Sequence, residues 1–207
     1  MNNLDLSLYL VTDSSDNEEK FLKTIEEAIQ GGATVVQIRE KTKDTLEFYN
    51  LALKVKQITT KYDVILIIND RVDVALAIDA DGVHVGQSDM PCDVTRKLIG
   101  PDKILGVSAH TTEEAQKAEM DGADYLGSGA VFPTSTKSDA NRVTKEELKK
   151  IVESVNIPVV AIGGITEENA HELSDTGIAG LSVVSAIMSS DDPKKSSENL
   201  LNIFKKS

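Results

Sequence analysis

The sequence predicts an α/β fold, a single (β/α)8 TIM barrel that spans residues 1–207. Eight short apolar runs, rich in β-branched residues and bounded by Gly, Asp, Asn or Pro, alternate with eight segments of helical character. The runs are almost continuously apolar, as strands covered on both faces are. An open doubly wound sheet is the main alternative. The count of eight units favours the closed barrel, and so does the absence of a G-x-G-x-x-G turn after the first run.

The predicted strands are the apolar runs themselves, taken in chain order. They cover residues 6–12, 34–40, 63–69, 81–86, 103–109, 124–129, 157–164 and 179–186. No linker and no low-complexity stretch interrupts them, so we expect one domain.

Segments of helical character follow each run. DNEEKFLKTIEEAIQGG has acidic residues in its first turn and glycines at its end, and TKDTLEFYNLALKVKQITTKY spaces its apolar residues by three and four. The others are RVDVALAID, PCDVTRKLIG, TTEEAQKAEMDG, TKEELKKIVESV, TEENAHELSDTG and DPKKSSENLLNIFKK. In TTEE and TEEN a Thr precedes acidic residues, as at a helix N-cap.

Composition limits the classes of partner. The chain carries 34 Asp and Glu against 22 Lys and Arg, and only 4% of its residues are aromatic, with no Trp. An acidic chain with few stacking rings is not expected to bind nucleic acid. The single cysteine, Cys92, indicates a reducing compartment. Without a signal peptide or an apolar run of roughly 18 residues, we expect a soluble cytoplasmic protein with no membrane contact. A homo-oligomer is left open.

The second run closes with alternating polar side chains. Gln37, Arg39 and Lys41 are two residues apart and therefore point to one side of a strand. In a barrel that side can be the lumen near its mouth, where active sites of this fold lie. Two inward cations are costly unless an anion meets them. The alternative is an exposed strand end that pairs with Glu40 or Asp44.

Carboxylates close the third and fourth runs. Asn69 and Asp70 follow VILII, and Asp89 precedes Pro91. All three are also common helix N-caps, which is the alternative interpretation. Two carboxylates on neighbouring strand ends can instead hold Mg²⁺, which takes few protein oxygens and completes its shell with phosphate and water.

The histidines do not form a metal cluster in the sequence. His84, His110 and His171 are scattered and Cys92 is alone, so zinc is not expected. We predict that His84 packs inside its strand, that His171 lies on a helix surface and that His110 lies near the barrel mouth.

Three later loops have the composition of phosphate sites. The seventh run ends at Gly163–Gly164 and the eighth at Val184–Ser185, where backbone N–H groups can approach an oxyanion. The sixth loop contains PTSTK, in which hydroxyls precede a lysine suited to phosphate. An ordinary turn or surface loop is the alternative. The pattern indicates an enzyme or receptor for two phosphorylated small molecules.

Several motifs resemble the thiamine-phosphate synthase family over nearly the whole chain. They are QIREK, INDRVDVALAIDADGVHVGQSDMP, LGVSAHTTEEAQKAEMDGADYLGSGAVFPTSTK and PVVAIGGIT…SVVSAI. The resemblance implies two substrates, a hydroxymethylpyrimidine diphosphate and a thiazole phosphate, and the products thiamine phosphate and pyrophosphate. It also implies Mg²⁺ held by Asp70 and Asp89.

The resemblance further implies which residues meet the substrates. Those expected to act in catalysis are Arg39, Lys41, Ser108 and Lys137. Those expected to bind substrate are Gln37, Ile38, Arg39, Glu40, Lys41, Asn69, Ser108, Thr134, Ser135, Thr136, Lys137, Gly164, Val184 and Ser185. The pyrimidine diphosphate is assigned to Gln37, Arg39, Lys41, Asn69, Ser108 and Lys137, and the thiazole phosphate to Thr134, Thr136, Gly164, Val184 and Ser185.

The sequence also leaves three alternative functions open. A related branch of the family acts as a thiazole tautomerase, for which a histidine near position 130 is expected; Ala130 stands here and cannot act as an acid or base. A non-catalytic sensor of phosphates in the thiamine pathway is a second possibility. A sugar-phosphate isomerase or epimerase barrel is a third, but it leaves the mouth cations and the two aspartates unexplained.

Overall fold

The computed structural model describes residues 4–134 and 142–206. Eight parallel strands form a closed barrel in which each strand pairs with the next and the eighth with the first. They are β1 (Leu8–Val11), β2 (Val35–Ile38), β3 (Ile65–Asn69), β4 (Gly82–Val85), β5 (Ile104–Ser108), β6 (Tyr125–Ser128), β7 (Val159–Ile162) and β8 (Gly180–Val183). The predicted fold class is therefore confirmed, and each predicted run contains one strand.

Helices surround the barrel. They are α1 (Glu18–Gln30), α2 (Thr45–Lys61), α3 (Val72–Ala77), α4 (Cys92–Ile99), α5 (Thr112–Met120), α6 (Lys145–Glu153), α7 (Ser185–Met188) and α8 (Pro193–Lys206). Asp44 and Thr144 form capping boxes with the glutamates three residues on, and Thr111 caps α5 as predicted. Such a cap contributes about 1 kcal/mol to helix stability.

The segment TEENAHELSDTG departs from the prediction. It forms only a 3-10 helix at Ala170–Leu173, and Thr166 does not cap it. Asn169 instead spans the preceding turn, accepting from the Thr166 N–H and donating to the Gly164 carbonyl. Side-chain bonds to nearby backbone compete with the helix in this way.

A second departure is the short helix α7, which begins at Ser185 inside the predicted eighth run. The backbone of Val184 leaves the strand conformation, at φ −117 and ψ −85. Apolar residues continue through this bend because α7 is also covered by neighbours, with Ile187 fully buried. An uninterrupted apolar run therefore does not mark where the strand stops.

Strand side chains alternate between the barrel lumen and the layer under the helices. The layer under the helices is aliphatic and includes Leu10, Ile38, Ile68, Leu105 and Leu126. The lumen holds a smaller cluster around Tyr9, Val11, Val35, Ile67, Tyr125 and Val160. The polar side chains Gln37, His84 and Ser182 are also buried. Their positions in the alternation along each strand place them on the lumen side.

The end of the barrel opposite the mouth is fixed by polar contacts to the backbone. The guanidinium of Arg96 on α4 donates to the carbonyls of Gly100, Lys103 and Gly122 at 2.7 to 3.0 Å. The carboxylate of Asp124 accepts from the Leu105 N–H at 2.7 Å. These bonds satisfy backbone groups where the strands begin.

No helix in the described part of the chain is both long and apolar enough to span a bilayer.

Candidate active site

A cavity of about 890 Å³, which includes space open to solvent, lies at the C-terminal ends of the strands. Loops after strands hold the active site in barrels of this type. Seven predicted site residues line the cavity: Gln37, Arg39, Asn69, Thr134, Gly164, Val184 and Ser185. The structure therefore brings residues from β2, β3, β6, β7 and β8 to one place.

Two residues that directly follow β1, Thr12 and Asp13, hold the end of β2. The backbone N–H of Arg39 donates to the buried hydroxyl of Thr12 at 3.1 Å. Its guanidinium lies 3.7 Å from the Asp13 carboxylate. Arg39 and Lys41 thus pair with carboxylates of other strand ends, and the alternative pairing with Glu40 or Asp44 is wrong.

The residues between Gln37, Arg39 and Lys41 face elsewhere. The Ile38 side chain is fully buried in the layer under the helices, so only its backbone is available to the mouth. Glu40 accepts from Ser14 Oγ at 2.8 Å and from Thr42 N and Oγ1 at 2.8 and 2.9 Å. Burial disfavours its charge, but these hydrogen bonds together hold the pKa of Glu40 below its ordinary value. Glu40 shapes the loop after β2.

A charged cluster lies beside the cavity. The Lys41 ammonium contacts the Asp70 carboxylate, and the Asp89 carboxylate lies close enough to Asp70 to raise its pKa. Burial raises the pKa of Asp70, the contact with Lys41 opposes that, and the negative charge of Asp89 adds to it. The backbone N–H of Gly86 donates to Asp89 at 2.8 Å and fixes that carboxylate.

Neither aspartate caps a helix. Helices α3 and α4 begin after Arg71 and Pro91, with no side-chain cap bond. Asp70 has φ 60, in the left-handed region, where Asp is tolerated better than most residues. The N-cap interpretation of Asp70 and Asp89 is therefore wrong.

The two facing carboxylates fit an ion that takes few protein ligands. Burial and mutual repulsion make a second cation beside Lys41 favourable there. Among residues 4–134 and 142–206, no group of three or more His, Cys, Asp or Glu could hold a metal alone. A magnesium ion that binds one or two carboxylates and otherwise phosphate and water matches this donor set.

Ser108 ends β5 at the edge of the lumen. Its hydroxyl is 2.9 Å from His84 Nε2, and its carbonyl accepts from Gln87 Nε2 at 2.7 Å. His84 is buried in its strand and His171 is exposed on the 3-10 helix, as predicted. His110 lines the cavity and is held by Glu114, whose carboxylate is 3.2 Å from Nδ1.

The wall formed by β7 and β8 carries no charged side chain among its cavity-lining residues in the described structure. Gly163 and Gly164 have φ 100 and 67, a region that favours glycine. A Cβ on Gly164 would lie 2.4 Å from the Pro133 carbonyl oxygen, so glycine also permits the close approach of the sixth loop. Asn169 fixes this turn through its bond to the Gly164 carbonyl at 2.9 Å.

Part of the sixth loop lies outside the described residues. Thr134 lines the cavity. The predicted site residues Ser135, Thr136 and Lys137 fall within 135–141, which the structure does not describe. Their roles stay predictions.

The structure adds cavity residues that the sequence argument did not select. Ser182 is buried and lines the cavity beside Ile162, its pairing partner across β7 and β8. A lone serine within the apolar run GLSVV is a signal that was available. Ile162 gave no such signal in the sequence, because an isoleucine in a strand is usually a core residue.

Comparisons with known proteins agree with this geometry. Residues 8–187 match the family model described as thiamine monophosphate synthase. A thiamine-phosphate synthase of Methanobrevibacter smithii is 70% identical over 99% of this chain and 98% of its own length. One from Clostridium acetobutylicum is 58% identical over 100% and 98%. The solved thiamine phosphate pyrophosphorylase of Pyrococcus furiosus superposes with a TM-score of 0.89 at 46% identity, covering 98% of this chain and 97% of that one. The chain therefore belongs to the thiamine monophosphate synthase family, and with it to the transferases.

Proposed function

We propose that this chain joins 4-amino-2-methyl-5-(diphosphooxymethyl)pyrimidine to thiazole phosphate, giving thiamine phosphate and pyrophosphate with Mg²⁺. One observation carries the proposal. Arg39 and the Lys41–Asp70–Asp89 cluster stand on one side of the cavity mouth, and the glycine turn of β7 stands on another. Two phosphorylated ligands can therefore be held in different ways around one cavity.

The charged side suits a diphosphate that leaves. Arg39 presents a planar fork of donors and Lys41 a mobile point charge, and both are partly exposed. In the absence of ligand, Asp13 and Asp70 balance these cations. An incoming diphosphate competes for the same cations, so the charges need not be desolvated without a partner.

The uncharged side suits a phosphate that stays. Gly163, Gly164, Val184 and Ser185 place main-chain groups and one hydroxyl along the cavity. Main-chain N–H groups are fixed donors that bind phosphate without requiring a change of charge. We assign the thiazole phosphate to this side, together with Thr134.

The proposed reaction breaks the C–O bond between the pyrimidine methylene and the diphosphate. The bonding electrons leave with pyrophosphate, and the electron-rich aminopyrimidine stabilises the cation that remains. The thiazole nitrogen then donates its lone pair to that carbon, which forms the new C–N bond. No protein nucleophile is needed.

The chain's own residues act on the leaving group and on alignment. Arg39, Lys41 and Lys137 neutralise the charge that grows on pyrophosphate, a task for preorganised cations. Asp70 and Asp89 would hold Mg²⁺, which supplies further neutralisation as a Lewis acid. Gln37, Asn69 and Ser108 orient the pyrimidine, so that positioning supplies much of the remaining rate enhancement.

The proposal favours the synthase over the tautomerase branch. Ala130 lines the cavity where that branch is expected to carry a histidine. Its methyl group can neither donate nor accept a proton. We further infer small-molecule substrates as the partners, and a cytoplasmic location from the single cysteine.

The test is incubation with both substrates and Mg²⁺, with pyrophosphate and thiamine phosphate measured separately. Equal amounts of the two products are expected, and neither when the thiazole phosphate is omitted. Isomerised thiazole without pyrophosphate would assign the chain to the tautomerases. Ligand-dependent stabilisation without turnover would assign it to the sensors, and either result would overturn the proposal.

A further inference from the structure

A continuous chain of hydrogen bonds crosses the barrel lumen. Gln37 Nε2 donates to Tyr9 Oη at 2.7 Å, and Tyr9 Oη lies 2.6 Å from Tyr125 Oη. Tyr125 Oη lies 3.0 Å from His84 Nδ1, and His84 Nε2 lies 2.9 Å from Ser108 Oγ. The chain starts on β2 and ends on β5, at two residues that the proposed function assigns to the pyrimidine.

Because its members are buried, this chain of hydrogen bonds is stable only when every bond in it is made. Tyr9 and Tyr125 are 1% and 0% exposed and His84 is 8% exposed. A buried hydroxyl without its bond costs about 1–3 kcal/mol, so each member must keep its partner. A Cβ on Gly106 would lie 2.1 Å from Tyr125 Cζ and 2.5 Å from His84 Nδ1, so glycine is what allows the tyrosine and the histidine to meet.

The chain has a direction. Burial raises the pKa of both phenols far above neutrality, so each keeps its single proton. The Tyr9 oxygen accepts from Gln37. The direction that leaves no buried proton without an acceptor sends the Tyr9 proton to Tyr125 and the Tyr125 proton to His84 Nδ1. A neutral imidazole that accepts at Nδ1 carries its proton at Nε2 and donates it to Ser108.

Both ends then have a fixed polarity near the cavity, which Gln37 lines directly and Ser108 adjoins through its pairing partner Gly127. One N–H of the Gln37 amide goes to Tyr9, which fixes the orientation of the amide and leaves its oxygen as the acceptor for a ligand. The Ser108 oxygen accepts from His84, so its own proton is left to donate. A 4-aminopyrimidine offers the complement, an amine that donates and ring nitrogens that accept.

We propose that Tyr9, Tyr125 and His84 are positioning residues that set Gln37 as an acceptor and Ser108 as a donor, and thereby select an aminopyrimidine over an oxopyrimidine. The inference rests on the proposed function for the identity of the ring. A 4-oxo ring presents an acceptor where the amino ring presents a donor, and it meets the Gln37 oxygen unfavourably. Sites that hydrogen-bond a substrate group reject analogues that cannot complete the bond.

The first experiment needs no substrate. In ¹⁵N-histidine NMR of the wild-type chain, His84, assigned by its loss in His84→Gln, is expected as the neutral tautomer protonated at Nε2. Tyr125→Phe removes the donor to Nδ1 and is expected to abolish that preference. A wild-type His84 protonated at Nδ1 would overturn the inference, whether or not the chain is a synthase.

The second experiment measures selectivity. For wild type, Tyr9→Phe and Tyr125→Phe we take the ratio of two constants. The first is the inhibition constant of the 4-oxopyrimidine analogue of the diphosphate substrate, and the second is the KM of the 4-aminopyrimidine diphosphate itself. We expect this ratio to fall about tenfold in each variant, since one hydrogen bond contributes up to about that factor, with the KM of thiazole phosphate unchanged. Tyr62→Phe is the matched control, because its hydroxyl donates to Glu26 outside the lumen.

Thermal unfolding verifies that each variant is folded. If Tyr125→Phe is not, Tyr9→Phe and the wild-type spectrum still decide the question. An unchanged ratio in a folded Tyr9→Phe would overturn the positioning role and leave the proposed function standing. No product from wild type would instead refute the proposed function and leave the histidine tautomer readable.

Discussion

The two sides of the cavity mouth meet solvent with different chemistry. After β2, β3 and β4 the chain places charged side chains, Arg39, Lys41, Asp70 and Asp89, that bond one another or their neighbours. After β7 and β8 it places glycines, a serine and main-chain groups. A charged side chain can neutralise charge that grows on a ligand during the reaction, whereas a main-chain turn suits a ligand whose charge does not change. This difference matches a leaving diphosphate on one side and a retained phosphate on the other.

The largest expected effect comes from the charged side. Lys41→Ala is expected to lower kcat by roughly 10²-fold, by analogy with the loss of one transition-state donor, with little change in the KM of thiazole phosphate. Steady-state kinetics with both substrates measure it. Lys54→Ala is the matched control, because Lys54 is equally exposed and also paired, with Glu18 on the outside of the barrel. An equal loss in both variants would remove the distinction between the two sides.

An intermediate effect is expected from the glycine turn. Gly164→Ala forces a side chain into a left-handed backbone and against Pro133, a strain of about 1–3 kcal/mol. We expect the KM of thiazole phosphate to rise on the order of tenfold, since 1.4 kcal/mol corresponds to that factor, while the KM of the pyrimidine diphosphate changes little.

The control for that variant is Gly100→Ala. Gly100 also has positive φ, at 77, but no atom lies within 4 Å of its added Cβ. It should lower the melting temperature and leave both KM values unchanged. A rise in the KM of the pyrimidine diphosphate alone in Gly164→Ala would place the ligands on the opposite sides.

The smallest expected effect concerns the metal. Asp89→Asn keeps an oxygen ligand but removes a charge, so the Mg²⁺ concentration for half-maximal rate should rise severalfold while saturated kcat stays near wild type. Asp93→Asn, which alters an exposed ion pair with Lys97, should leave the titration unmoved. A metal titration of Asp89→Asn that superposes on wild type would contradict the assignment of Asp89.

The sequence was informative where a residue acts through its strand position. Continuous apolar runs predict all eight strands, and the alternation of Gln37, Arg39 and Lys41 predicts which side chains reach the mouth. The prediction of a full helix in the seventh helical segment was wrong, because the side-chain bonds of Asn169 to the backbone outweigh a weak apolar pattern. The predicted end of the eighth strand was wrong, because an apolar run does not show where the backbone bends.

The meeting of distant residues was beyond sequence reasoning. Tyr9 and Tyr125 lie 116 positions apart, and only the closure and register of the barrel bring their hydroxyls together. Asp70 likewise has a left-handed backbone, at φ 60, which the residue type permits but does not require. Residues 135–141 lie outside the described structure, so the position of Lys137 stays a sequence prediction.

The anchor that Arg96 provides at the far end of the barrel has an evolutionary consequence. It bonds main-chain carbonyls, and a carbonyl is present whatever amino acid a codon specifies. Position 103 can therefore drift without loss of that bond, whereas lysine at position 96 could not reproduce the planar fork. Selection on the side chains of this anchor falls on position 96 and on position 124, whose carboxylate also accepts from the guanidinium, and scores of conservation taken site by site will understate how constant the bonding around them is.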